Sequence, residues 1–191
     1  MPSLKGSITE QNLLKAFAGE SQARNRYTFF ASQAKKDGYV QIQQIFLETA
    51  ANEKEHAEVF FKHLEGGMVE ITATYPAGKI GSTAENLLSS AEGEAEEWGV
   101  LYPAFAKTAE MEGFPKVAES FEEIGEVEEE HEKRYRKLLA NVENGTVFKR
   151  NEEVEWHCLN YGYIHHGKEA PELCPACLHA RDYYQLHVAN Y

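Results

Sequence analysis

The sequence predicts an all-α fold, a four-helix bundle with one long crossover, followed by a small C-terminal metal ribbon. Three observations carry this. Four long segments repeat apolar residues in alternating steps of three and four, the period that keeps one helix face on a core. Glycine, proline and capping signals punctuate them, and only the middle connection is long enough to cross a bundle. All three cysteines lie beyond the last helix, between Cys158 and Cys177. The bundle is assigned to residues 1–146 and the ribbon to 147–191.

The first helix is expected from about Thr9 to Lys36, broken by Asp37-Gly38. The second runs from about Tyr39 to Glu65 and stops at Gly66-Gly67, because glycine tolerates the left-handed backbone of a helix end. A linker containing Tyr75-Pro76-Ala77-Gly78 follows, so helices two and three need not be neighbours. Ser82-Thr83-Ala84-Glu85 reads as a capping box that opens the third helix, and Glu112-Gly113 ends it. Pro103 inside this helix lacks an N–H, which should release the carbonyl of Gly99 and kink the chain. Pro115 suits the first turn of the fourth helix, which fades near Asn144-Gly145.

Each apolar stripe is interrupted at its middle by Glu, or by Glu with His. The stripes read Leu13, Phe17, Glu20, Arg24, Tyr27, Ala31, Ala34; then Ile42, Phe46, Thr49, Glu53, His56, Phe60, His63. The third reads Leu87, Ala91, Glu94, Trp98, Leu101, Phe105, and the fourth Val117, Phe121, Ile124, Glu128, His131, Tyr135, Leu138. The two halves also repeat. Glu20 to Glu53 is 33 positions and Glu94 to Glu128 is 34, while Gly38 and Gly113 each lie 15 before the second Glu. Gly19 and Gly93 precede the first Glu, and Tyr27 and Tyr102 follow it by about two turns. Two helical hairpins about a pseudo-twofold axis are expected, with a site on that axis.

Carboxylates buried in such a core must be protonated, paired or metal-bound, because an isolated charge there costs several kcal/mol. Arg24 is the one base on the stripes and cannot balance five carboxylates. Two divalent cations can. Glu53-Lys54-Glu55-His56 and Glu128-Glu129-Glu130-His131 place Glu and His three apart on one helix face, the arrangement of ferritin-like di-iron and di-manganese bundles. Mixed carboxylate and imidazole ligation suits iron or manganese. His63 lies two turns past the site and reads as a helix-end residue. Glu122, Glu123, Glu129 and Glu130 read as a solvated face.

The formal net charge of −12 over 191 residues argues against nucleic-acid or anionic-membrane partners. Met1-Pro2-Ser3-Leu4-Lys5 lacks the apolar core of a signal peptide, and no run could span a bilayer. Three clustered cysteines suit a metal site in a reducing cytoplasm, where the protein is expected.

Nearly the whole chain resembles a rubrerythrin. The resemblance rests on Ala16-Phe17-Ala18-Gly19-Glu20-Ser21-Gln22-Ala23-Arg24-Asn25-Arg26-Tyr27, the two Glu-x-x-His motifs, Glu94-x-x-Glu97, and Pro171-Glu172-Leu173-Cys174-Pro175-Ala176-Cys177. It implies a ferritin-like bundle holding two irons, a rubredoxin-like one-iron domain, and reduction of hydrogen peroxide in oxidative-stress defence. By resemblance Glu53 and Glu128 bridge the irons, Glu20 and His56 serve one, and Glu94 and His131 the other. Glu97, aligned by the repeat with Ala23, is the extra carboxylate that exchanges with the first-half histidine as the iron changes oxidation state. Tyr27 and Tyr102 are expected either to donate hydrogen bonds to ligating carboxylates or to be aromatic core. A rubredoxin-type or NADH-dependent reductase as electron donor, and a homodimer, follow from the family.

The tail departs from that pattern. A rubredoxin-like centre needs four thiolates from two Cys-x-x-Cys knuckles. The second, Cys174 to Cys177, is intact; the first has Cys158 followed by Tyr161 at the second cysteine's place. The fourth ligand is left open among Tyr161, water, His157, His165 and His166, and the tail holds one iron, one zinc or no metal. A ferroxidase or iron store, or a peroxide sensor, stands as the alternative to a peroxidase with an impaired relay.

Overall fold

In the computed structural model, residues 3–190 are described. Helix α1 spans Ile8–Lys36 and α2 Val40–His63. Helix α3, Thr83–Glu96, runs through a π-helical turn at Glu97–Leu101 into α4, Tyr102–Glu112, so the three form one interrupted helix. Helix α5 spans Pro115–Glu143. The capping box forms as the sequence predicts: the Ser82 hydroxyl accepts from the Glu85 N–H while the Glu85 carboxylate accepts from the Ser82 N–H. Gly113 takes the left-handed cap at φ 83°. Helix α2 ends at His63, short of the glycines, because Glu65 turns back to accept from the Leu4 N–H and the Ser3 hydroxyl.

Helix α1 packs mainly on α2, and α3 and α4 on α5, giving two hairpins joined by the long crossover at 64–82. The inward stripes of α2 and α5 hold, apart from half-buried His63. The other two need correction. In α1 the stripe runs through buried Ala23, and Arg24 is exposed. In the interrupted helix, Tyr102, Ala106 and Ala109 are buried, and Trp98, Leu101 and Phe105 only partly so. The π turn takes up one extra residue and moves the inward line forward by one. Its bond runs from the Tyr102 N–H to the Glu97 carbonyl, immediately before Pro103.

Two apolar plugs flank the middle of the bundle. One gathers Tyr27, Phe30, Phe46, Leu87 and Tyr135; the other gathers Leu13, Phe60, Tyr102, Phe121 and Ile124. Edge-on packing of Tyr27 on Tyr135 (5.5 Å between centroids) and close contact of Phe60 with Phe121 (4.9 Å) exclude water from both sides. Among the described residues no helix is long and apolar enough to cross a membrane.

The ribbon is a three-stranded antiparallel sheet of order β2-β1-β3, with β1 Lys149–Cys158, β2 Ile164–Glu169 and β3 Tyr184–Leu186. Trp156, Cys158, Ala170, Cys174 and Tyr184 form its core. It leans on the bundle where Phe148 stacks on Tyr39, centroids 6.0 Å apart.

Candidate metal centre

The helical period sets Glu20, Glu53, His56, Glu94, Glu128 and His131 at one level between the two plugs, all buried. Two groups form, Glu20-Glu53-His56-Glu128 and Glu53-Glu94-Glu128-His131, with ligand atoms within 4.8 Å of one another in each. Glu53 and Glu128 belong to both. Glu128 turns Oε1 to His56 Nδ1 (2.8 Å) and Oε2 to His131 Nδ1 (2.7 Å). Glu53 does the same, Oε2 to His56 (3.0 Å) and Oε1 to His131 (3.4 Å). The imidazole centroids lie 6.0 Å apart with their planes 27° from parallel.

Each outer carboxylate is held from the opposite half of the chain. The Tyr27 hydroxyl donates to Glu94 Oε1 at 2.5 Å, and the Tyr102 hydroxyl donates to Glu20 Oε1. Both tyrosines are buried as well, so donor and aromatic core are the same residues.

Many of these atoms lack the hydrogen bonds that burial demands. Glu20 Oε2, Glu53 Oε1, both Glu128 oxygens and His131 Nδ1 are buried without a partner of hydrogen-bond geometry. In a dry core that is expensive. Electrostatics tell the same story. Burial, then the charges of Glu128 and Glu53, push Glu20 well above the carboxylate range. Burial, then Glu53 and Glu128, do so for Glu94. Burial also opposes ionisation of Glu53, but the adjacent imidazoles of His131 and His56, the latter hydrogen-bonded to Oε2, bring it down to about 2. Burial would discharge the imidazoles, yet Glu128 and Glu53 raise His56 to about 10 and His131 to about 9. A cluster this strained for partners fits two divalent cations, which could take the six donors as two sets sharing two carboxylates.

Glu97 stands outside both sets. It opens the π turn, is partly exposed, and reaches toward α1, Oε1 lying 4.0 Å from where a Cβ on Gly19 would be. Burial of its carboxyl, then the charges of Glu128 and Glu53, raise it to about 8, against the opposing effects of Glu94 and then Arg26. The sequence reading missed Arg26, whose half-buried guanidinium lies 5.7 Å from the Tyr27 ring centroid. It falls off the apolar stripe, so periodicity could not find it. Attention to the bases within two turns of Glu20 would have. His63 bonds Ser120 Oγ at 2.9 Å, away from the cluster.

In the ribbon, Cys158, Cys174 and Cys177 converge, with Cys158 Sγ and Cys177 Sγ 3.8 Å apart. Burial raises Cys158, while for Cys174 the neighbouring Tyr184 hydroxyl and the backbone amides of Ala176 and Cys177 outweigh burial and bring it down to about 6. Among the described residues no histidine joins the three thiols, so His157, His165 and His166 are removed as candidates. The Tyr161 ring is 69% exposed. Three thiols do not fit a four-thiolate iron centre.

Set against known proteins, residues 11–139 match the Rubrerythrin family model and residues 156–185 match the model described as Rubrerythrin, rubredoxin-like domain. The chain is 62% identical over 189 residues to a rubrerythrin of Porphyromonas gingivalis, covering 99% of this chain and 94% of that one. Identity to a rubrerythrin of Nitratidesulfovibrio vulgaris is 53% over 191 residues, covering 100% of both. Among solved structures, fully reduced, all-ferrous nigerythrin superposes with TM-score 0.64 at 33% identity, over 97% of this chain and 89% of that one. A Mycobacterium tuberculosis bacterioferritin shares the fold at TM-score 0.64 and 16% identity, over 75% of this chain and 90% of its own.

Proposed function

The chain belongs to the rubrerythrin family, and from that premise we propose that it is a non-haem di-iron peroxidase reducing hydrogen peroxide to water. The observation that carries the reading is the shared carboxylate pair: Glu53 and Glu128 each turn one oxygen to each imidazole. They would bridge two irons, with Glu20 and His56 on one and Glu94 and His131 on the other. Two ferrous ions bound there would supply the two electrons that, with two protons, convert hydrogen peroxide to two waters.

The chain's own residues do the rest. Tyr27 and Tyr102 are pushed well above the phenol range by burial and then by the carboxylate each one faces. They therefore keep their protons and orient Glu94 and Glu20 rather than acting as acids. The flanking plugs exclude water, so the charges exchanged stay within the cluster. Glu97, partly exposed where the six others are buried, stands between cluster and solvent. We assign it to the oxidised state, where an added anion offsets added positive charge, and to carrying protons toward the bound peroxide. Electrons come from a rubredoxin-type or NADH-dependent reductase. No step is assigned to the ribbon.

The missing fourth thiolate favours one second reading, a ferroxidase or iron-handling role for the same bundle. Anaerobic reduction followed by peroxide separates the two. The peroxidase consumes one peroxide per two ferrous ions oxidised, outpaces its own reaction with dioxygen, and turns over with a reductase. Faster reaction with dioxygen, with ferric iron accumulating beyond two per chain, would establish the ferroxidase instead.

A further inference from the structure

The ribbon's first knuckle is folded as though its second cysteine were present. In the intact knuckle, the Leu178 N–H donates to the Cys174 carbonyl at 2.8 Å, and Leu178 sits at φ 61°. In the altered one, the Gly162 N–H donates to the Cys158 carbonyl at 2.8 Å, and Gly162 sits at φ 80°. Residue 161 thus occupies the same turn position as Cys177.

What differs is the side chain. Cys158 and Cys174 are fully buried beneath Trp156 and Tyr184, Cys177 is partly exposed, and all three are free thiols. Tyr161, at the place of the second cysteine, has 69% of its surface exposed to solvent.

We propose that this ribbon is a three-thiolate site for a thiophilic divalent cation with one exchangeable, solvent-facing coordination position. Zinc-like ions favour thiolate donors in tetrahedral sets. Four protein ligands close such a site, whereas three leave a place for water or a small added donor. The preformed knuckles mean that the cup does not have to be built by the metal. The inference is independent of the chemistry assigned to the bundle.

Cobalt(II) added to the metal-stripped full chain is the probe, because sulfur-to-cobalt charge transfer reports thiolate ligation and is blind to the carboxylate bundle. The parent should show this band, and zinc should abolish it. Added imidazole should shift the parent's visible cobalt spectrum. In Tyr161→Cys the charge-transfer intensity should rise by about one third, for four thiolates in place of three, and imidazole should have no effect. Tyr161→Phe should match the parent. Three results would overturn the proposal. One is no charge transfer in the parent, with a thiol count in denaturant showing a Cys158–Cys177 disulfide or three free thiols. Another is a parent spectrum indifferent to imidazole. The last is a changed spectrum in Tyr161→Phe, which would make the phenolate the fourth ligand.

Discussion

Loading the bundle should release protons, and the minimum number can be worked from the two histidines. In the metal-free cluster His56 is held up to about 10 and His131 to about 9, by Glu128 and Glu53 against the effect of burial. Both are therefore charged at pH 7, and each must give up its proton to ligate a metal. Glu20 and Glu94 are also pushed up, by burial and then by neighbouring carboxylates, which works in the same direction. At least two protons should leave per pair of metals at pH 7. Two-metal affinity should then rise at least a hundredfold per pH unit, about 2.7 kcal/mol, flattening as pH passes about 9 and then about 10. Stability of the metal-free form should move the other way. A group whose pKa is raised on folding contributes stability that is present below its unfolded value and lost as pH rises through its folded one. The histidines' contribution is thus complete below pH 6.5 and lost through about 9 to 10. Manganese(II) is the titrant of choice, because it avoids thiolates. Calorimetry in buffers of differing ionisation enthalpy counts the protons, and thermal melts follow stability. Release of fewer than two protons at pH 7 would refute the charged histidines of the metal-free cluster.

Glu53→Ala or Glu128→Ala should remove half or more of the bundle's metal, since each deletes a shared carboxylate; unchanged stoichiometry in both would break the two-set arrangement. Tyr102→Phe leaves Glu20 Oε1 without its donor and should cost about 1–3 kcal/mol, read as a lower melting temperature and weaker metal retention. An unshifted melt and unchanged retention would mean that Tyr102 is only packing. Glu97→Ala should keep fold and metal while slowing peroxide turnover, because its repeat counterpart Ala23 shows that the half-site closes without a carboxylate there. Equal turnover in mutant and parent would reduce Glu97 to a helical surface residue. Tyr161→Cys should restore both the visible ferric-thiolate absorption and efficient reduction through a rubredoxin-type reductase; a parent that already matches it on both measures would show that position 161 limits nothing.

Helix limits and the six buried donors were legible because they follow local rules. Capping boxes, glycine caps and a three-four period act within a few residues, and Glu-x-x-His in register with Phe46, Phe60, Phe121 and Tyr135 points at the core whatever lies opposite. What was not legible depends on partners far along the chain. The crosswise bonds of Tyr27 to Glu94 and Tyr102 to Glu20 link the two hairpins, so neither can be read from its own helix. Arg26 carries no periodic signature, and its importance comes only from what α3 brings near it. The ribbon's missing fourth thiolate could be named from Tyr161, but removal of the histidines as fourth ligands required the strand register that places them elsewhere.

The π turn lies between these cases, and its trace in the sequence is one residue long. Tyr27 to Gly38 and Tyr102 to Gly113 are both 11 positions, and the following stretches to Glu53 and Glu128 are both 15. The halves differ only between the first Glu and the Tyr, which is 7 positions in one and 8 in the other. The π-helical turn at Glu97–Leu101 falls in that interval. An uninterrupted α-helix would carry Tyr102 about 100° past the inward line, away from Glu20. The wider turn absorbs the extra residue and returns Tyr102 to the position Tyr27 holds in the other half. The same turn starts at Glu97, whose counterpart in the repeat is Ala23. A single inserted residue therefore keeps the two carboxylate-tyrosine bonds equivalent while making the two half-sites unequal. Deleting Val100, exposed within the turn, should restore a continuous α-helix at the expense of one of two things. Either the Tyr102–Glu20 bond is kept and Glu97 is drawn off the cluster, or the helix rotates and both are lost. In either case peroxide turnover falls while the Tyr27–Glu94 bond is kept. A deletion variant with parental turnover would show that the inequality of the half-sites has no part in the reaction.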